Sequence, residues 1–289
     1  MKKLLVLFYL LFITAPSNAE DMLQNISGKI SEFATGLIAG EGHTEVSLDL
    51  RESNSPDWSI LGVREIAPVD NGKIFTQFSL FNTERANGKG GGDERIIGNL
   101  GFGLRKLSND NTMMFGINNF YDYDIDTEAM RTSLGLEARS AVLEFHYNMY
   151  ESLSDEYNEE TVLDGSDFQL SSQIPYLHWA EIFVNEYEWK GVKRNDVEGR
   201  KLGSEMLLTS NSNLEIAFDD KDKQGVEDEW YAKLQFFHPG KEGPTAMDGI
   251  SDTPWRENKD MSGELLSKVK RHNKIMIEFK GTSNISRTD

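Results

Sequence analysis

Apolar and polar residues alternate through much of this chain, with turn residues interrupting the alternation about every ten to fifteen positions. In residues 142–150, Leu143, Phe145, Tyr147 and Met149 fall on one face of an extended segment, and Glu144, His146 and Asn148 fall on the other. Successive side chains of a strand point to opposite sides, so such a segment has one apolar and one polar face. It fits two settings: a strand half-buried in a soluble sandwich, or one lining a membrane barrel with lipid outside and water inside.

The same pattern predicts about twelve strands, at 44–50, 58–66, 73–82, 95–107, 112–123, 129–139, 142–150, 167–174, 180–189, 201–209, 213–218 and 230–237. Their connections sort by length. Those at 83–94, 151–166, 190–200 and 219–229 are long and acidic or Gly-rich, whereas those at 107–111, 140–141, 175–178 and 210–212 are tight. An up-and-down membrane barrel has short turns at its periplasmic end and long loops outside. A soluble sandwich has no reason to sort its loops. The predicted fold class is therefore all-β, a transmembrane antiparallel up-and-down barrel of about twelve strands.

The faces assign several charges. Leu100, Phe102 and Leu104 oppose Asn99, Gly101, Gly103 and Arg105; Leu134, Leu136 and Ala138 oppose Arg131, Ser133, Glu137 and Arg139. Trp230, Ala232, Leu234 and Phe236 oppose Tyr231, Lys233 and Gln235. An Arg or Lys facing lipid at the bilayer midplane costs about 2–4 kcal/mol. Arg105, Arg131, Glu137, Arg139, Glu144 and His146 are accordingly expected to line the lumen. The stretch 180–189 alternates poorly, and the pattern does not assign its faces.

The N-terminus sets the compartment. Met1-Lys2-Lys3 precedes an apolar run through Ala15, and Ser17 and Ala19 are the small residues a signal peptidase accepts, so 1–19 reads as a secretory signal peptide. The run is too short to span a bilayer as a helix. In 20–42, a periplasmic lead-in segment, Ile30, Phe33, Ala34 and Leu37 fall near helical spacing and allow a short amphipathic helix. The expected barrel covers 43–238.

Beyond Phe237 the pattern changes. Residues 238–260 are rich in Pro, Gly and charge; then Ser262 can cap a short helix with Leu265, Leu266 and Val269 on one side, and Ile275–Phe279 reads as extended. These residues are too apolar for a solvated terminus and too few to fold alone. The region 239–289 is therefore expected to be a linker and short tail. Its part from Gly263 to Phe279 should thread the pore, helix first, with Glu264, Lys268, Lys270 and Arg271 meeting the lumen charges.

Composition narrows the function. The formal net charge of −18 argues against nucleic-acid binding, which needs basic surface. There are no cysteines, so the exported fold holds together without disulfides. Mean hydropathy is −0.50 and excludes a helical membrane protein, but not a barrel, whose lipid face uses alternate residues only. No phosphate-binding loop, zinc-protease, nucleophile-elbow or cysteine-cluster motif occurs, and no enzyme activity or cofactor is expected. Tyr121-Asp122-Tyr123-Asp124-Ile125-Asp126 opens like a calcium-binding EF-hand but has Thr127 and Ser133 where Gly and Glu are needed. Its acids read as loop residues, and no metal site is expected. Gly88–Gly92 reads as a flexible turn. His146 falls on the polar face, against a lipid-facing Ser–His phospholipase site.

The run Asn99-Leu100-Gly101-Phe102-Gly103-Leu104-Arg105, then Phe115-Gly116-Ile117-Asn118-Asn119-Phe120-Tyr121-Asp122-Tyr123-Asp124, Arg131, Leu134-Gly135-Leu136-Glu137-Ala138-Arg139 and Asn148-Met149-Tyr150, resembles the β-domain of the intimin/invasin family, the inverse autotransporters. Phe75-Thr76-Gln77, Gly165 to Phe168 with Pro175, and Lys270 to Glu278 resemble further elements of that family. The resemblance implies a twelve-stranded outer-membrane barrel of a Gram-negative cell with a linker in its pore. It also implies contact with outer-membrane lipids and lipopolysaccharide, and assembly by barrel-assembly machinery and periplasmic chaperones. A family member would export a C-terminal passenger. With the sequence ending at Asp289, the expectation is a barrel and linker without a passenger, acting as membrane anchor and translocation pore, with a separately encoded passenger as one option. The alternatives are a small plugged outer-membrane channel and a soluble exported β-sandwich binding protein.

Overall fold

A computed structural model describes residues 41–51, 57–84, 94–154, 160–192, 195–222, 228–256 and 259–279. The expected signal peptide, the helix within 20–40, the Gly88–Gly92 turn and the tail from residue 280 onward lie outside the described residues.

Fourteen strands occur among them. The first seven are β1 (Gly42–Arg51), β2 (Asp57–Val69), β3 (Gly72–Glu84), β4 (Glu94–Leu107), β5 (Met113–Asp124), β6 (Met130–Ser140) and β7 (Leu143–Ser152). The rest are β8 (Glu160–Val162), β9 (Gly165–Ile174), β10 (Leu177–Trp189), β11 (Val197–Thr209), β12 (Ser212–Asp222), β13 (Glu229–His238) and β14 (Ile277–Phe279). Twelve of them form one closed antiparallel barrel in the order β1-β13-β12-β11-β10-β9-β7-β6-β5-β4-β3-β2. Closure comes from β1 pairing with β13, from Thr44 opposite His238 to Arg51 opposite Tyr231. A closed sheet leaves no unpaired edge, the condition for backbone to cross lipid as strands. The short β8 and β14 make a separate two-stranded sheet.

The connections sort as the pattern predicts. At one end, Asp70-Asn71 and Ser210-Asn211 link strands through two-residue turns, and Asn71 takes a positive φ of 53°, which Asn tolerates. The three register irregularities, at Glu65/Ala67, Leu177/Glu181 and Leu207/Thr209, cluster at this end. The long connections, one carrying β8, lie at the other.

The outside is apolar and the inside polar. Leu100, Phe102, Leu134 and Leu136 are between 42% and 49% exposed, whereas Arg105 and Arg131 are fully buried. This inverts a soluble protein, and with a single closed sheet it overturns the sandwich alternative. The strand 180–189 resolves too: Phe183, Asn185, Tyr187 and Trp189 are buried inside and Ile182 is exposed outside. Three inward aromatics make both faces read as apolar, which hides the alternation.

Two inward glycines shape the interior. A Cβ on Gly101 would stand 2.3 Å from the Phe120 ring, and one on Gly103 would stand 2.4 Å from the Phe75 ring. The bare β4 backbone lets these rings lie flat against the wall, where they cluster with Leu61 and Val63.

Candidate functional site

The barrel interior is filled by the chain's own C-terminal segment. It enters at the tight-turn end, where the Met261 N–H donates to the Asn111 carbonyl (2.9 Å) and Met261 and Leu265 pack on Met114. Asp260 accepts the Ser262 N–H (2.8 Å), which holds its carboxyl below the usual range.

The helix expected after Ser262 does not form. A 3-10 turn, Met261–Glu264, is followed by non-helical chain, and Asp260 rather than Ser262 is the capping residue. Two physical reasons stand out. Gly263 disfavours helix, and barrel arginines, instead of N–H groups one turn on, bond the carbonyls that a helix would use. Arg105 Nη1 donates to the carbonyls of Leu265 (3.1 Å) and Ser267 (2.5 Å), and Arg139 Nη2 donates to that of Lys268 (2.9 Å). Leu265 and Val269 therefore enter different clusters, Val269 with Phe75 and Phe120, instead of sharing one helix face.

The arginines are held by carboxylates. Arg105 makes a two-pronged contact with Glu137 (2.7 and 3.1 Å) and lies 4.4 Å over the Phe75 ring; Arg139 is 3.0 Å from Glu137. A planar guanidinium satisfies a carboxylate with one edge and has donors left for backbone oxygens. Higher up, Arg131 and Arg271 share Asp122: Arg131 donates at 2.9 and 2.7 Å, Arg271 at 3.0 and 2.7 Å. Arg131 Nη2 also donates to the His272 carbonyl (2.8 Å). Asn148 and Asn99 donate to the carbonyls of Lys270 and Asn273, both at 3.2 Å. Gln77 accepts the Val269 N–H (2.8 Å), and Tyr150 accepts that of His272 (2.8 Å).

The linker lysines reach carboxylates. Lys268 meets Glu45 (3.2 Å), Lys274 meets Asp57 (2.6 Å), and Lys270 lies 3.2 Å from both Glu144 and Glu205 and 3.6 Å from Glu181. Beside them a cavity of about 150 Å³ runs along β1 to β3 and β9 to β13, lined by Glu45, Asp49, Asp57, Lys201 and Lys233 among others. At the long-loop end Met276 packs with Tyr150, Tyr187 and Trp189, and Ile275 and Ile277 pack with Phe81, Ile97 and Val162. There β14 pairs with β8, from Ile277 opposite Val162 to Phe279 opposite Glu160.

The predicted site residues thus lie inside the barrel, but their pairing differs from expectation. Between the two predicted sets, Lys270–Glu144 is the one ion pair among the described residues. Arg105, Arg131 and Arg139 bind linker carbonyls rather than Glu264, which pairs with Lys259 (2.5 Å). His146 contacts Glu144 (3.4 Å) and Glu137 (4.0 Å) rather than the linker. Asp122 and Asp124, read from the sequence as loop acids, are buried inward residues of β5, where Asp124 pairs with Arg95. Sequence reasoning missed Glu45, Asp57, Gln77, Asp122 and Asn148. Alternation in β5, with Asn118, Phe120, Asp122 and Asp124 on one face, carried the signal for Asp122.

Apolar exterior, closed polar interior and self-filled lumen together define an outer-membrane β-barrel occupied by its own C-terminal segment. The inverse autotransporter β-domain family matches residues 17–273, and the chain belongs to that family. Its place is the Gram-negative outer membrane. Among solved structures, one from a study of the in-meso crystallization of membrane proteins is 18% identical, with a TM-score of 0.64 over 82% of this chain and all of the other. At that identity the likeness concerns the fold alone. The β-domain of the Bordetella autotransporter BrkA (11% identity, TM-score 0.36, 68% of this chain and 98% of that one) and a KdgM porin (9%, 0.43, 67% and 98%) are also similar. No curated protein matches the chain.

Proposed function

We propose that this inverse autotransporter β-domain anchors the chain in the outer membrane and serves as the conduit through which its C-terminal segment reaches the cell surface. One observation carries the reading: residues 261–279 enter at the tight-turn end and leave at the long-loop end, where β14 pairs with β8. With the tight turns periplasmic, β14 lies at the outer end of the barrel. The role proposed here is non-enzymatic. Assembly draws on barrel-assembly machinery and periplasmic chaperones, the long loops meet lipopolysaccharide, and a passenger encoded separately is an additional partner on this reading.

An epitope tag placed after Asp289 tests it. The tag should be reached by antibody and by protease on intact cells. A tag detected only after the outer membrane is permeabilised would overturn the reading. The cavity beside the linker favours a second role as a narrow channel, with a small steady ionic conductance while the linker is in place.

A further inference from the structure

The linker is held by two kinds of contact that read different things. Arg105, Arg139, Asn148, Arg131 and Asn99 donate to main-chain carbonyls, at Leu265 and Ser267, Lys268, Lys270, His272 and Asn273 in turn. Every residue of any polypeptide offers a carbonyl, so these donors do not depend on the side chains of the segment bound. They sit along one wall, from β4 through β7, and are aimed inward by neighbours: Glu137 and Asp122 fix the guanidiniums, and the Phe75 and Tyr150 rings stack beneath them at 4.4 and 4.3 Å. The second kind reads side chains. Lys268, Lys270 and Lys274 fall at even positions of the segment and are met by Glu45, by Glu144 with Glu205, and by Asp57; Arg271, at an odd position, joins Asp122. Carboxylates that match a cation at each of four stations fit this stretch and not a neutral one.

We propose, building on the export reading above, that the β4–β7 wall is a sequence-blind track for an extended polypeptide backbone, and that Lys268, Lys270, Arg271 and Lys274 are the stop that halts the moving chain in one register. The ligand class of the track is any unfolded chain without secondary structure. Each carbonyl released by one donor is followed by another as the chain advances, so movement exchanges equivalent hydrogen bonds. When the four cations arrive, charge-assisted contacts with buried carboxylates replace that exchange with a fixed position.

The chain has no native cysteine, and a Cβ at Gly263 meets nothing within 4 Å, so Gly263→Cys is a clean reporter at the periplasmic mouth. The full chain carrying this reporter and a flexible Gly/Ser-rich tail of about 40 residues after Asp289, ending in an epitope tag, supplies both readouts. Glutamine at Lys268, Lys270, Arg271 and Lys274 together should leave the rate of tag appearance on intact cells unchanged, while labelling of Gly263→Cys by a bulky maleimide falls about tenfold because the chain no longer halts there. Arg105→Gln with Arg139→Gln should do the reverse: tag appearance slows about tenfold and final labelling is unchanged. If that pair fails to give the compact barrel on unheated gels, Asn99→Ala with Asn148→Ala replaces it, with slower appearance still expected. Unchanged labelling in the four-cation variant, or unchanged appearance in the track variant, overturns the proposal. A tag that never surfaces in the parent would instead overturn the export reading itself.

Discussion

The two halves of the barrel wall meet the same occupant differently. From β3 to β7 the wall bonds the linker main chain through guanidinium and amide groups, and the Phe75 and Phe120 rings pack on the Val269 side chain. From β11 through β13 to β2 the wall stands back across the cavity, and lysine side chains span the gap to Glu45, Glu205 and Asp57. The side-chain chemistry follows the geometry. A rigid fork braced by a carboxylate suits close contact with backbone oxygens, and a point charge on a flexible stem suits reaching across space. The first wall therefore fixes the path of the linker and also meets Arg271 through Asp122 and Lys270 through Glu144, whereas the second meets side chains alone, Lys268, Lys270 and Lys274.

The comparison breaks most completely when the occupant is removed. Deleting residues 261–289 empties both walls, and single-channel conductance should rise several-fold; an unchanged value would mean that the segment does not fill the pore in the membrane. A smaller break is Arg105→Ala. It strips the buried Glu137 of its two-pronged partner, leaving Arg139 beside it, and frees two linker carbonyls; the loss of a buried ion-pair partner costs about 3–5 kcal/mol. The temperature at which the compact form disappears from unheated gels should drop accordingly. In the linker, Lys270→Ala leaves Glu144 of β7, Glu181 of β10 and Glu205 of β11 without the cation they share. Losing its charge-assisted contacts should weaken linker docking by about 1–3 kcal/mol, seen as more frequent transient openings in planar bilayers with barrel stability retained. Equal stability losses for Arg105→Ala and Lys270→Ala would erase the distinction between main-chain and side-chain contacts. The smallest effect is expected outside. The Arg200–Glu186 pair lies on the solvent-exposed rim, so Arg200→Ala should change stability by less than about 1 kcal/mol in urea titrations.

How much was legible in the sequence varies with the range of the interaction. Arg105, Arg131, Glu137 and Arg139 were placed inside because their neighbours Leu100, Phe102, Leu134 and Leu136 had to face lipid, and that inference needs one strand at a time. Their partners were not legible. Arg131 and Asp122 face each other through β5–β6 register, and Arg105 reaches Glu137 two strands away across Gly116. Asp122 lies inside the predicted strand at 112–123, but a run of three alternating acids at a strand end also resembles an ion-binding loop, and that resemblance hides its inward place. The linker was misread for a related reason: apolar spacing at Leu265, Leu266 and Val269 is compatible with a helix. Nothing local announces that three arginines from elsewhere in the chain take up its carbonyls.

Local sequence pattern sets the strands, their two faces, the sorting of long and tight connections and hence the barrel. Each of these follows from alternation along a single extended segment and from turn chemistry. Long-range closure and register set which wall bonds the linker main chain, that the linker runs non-helical rather than helical, and which carboxylate meets which cation. Those outcomes depend on closure between β1 and β13 and on the register of every pair between them. Register sets which inward side chains stand at the same height in the pore, and the alternation within a strand carries no information about the height of its neighbour.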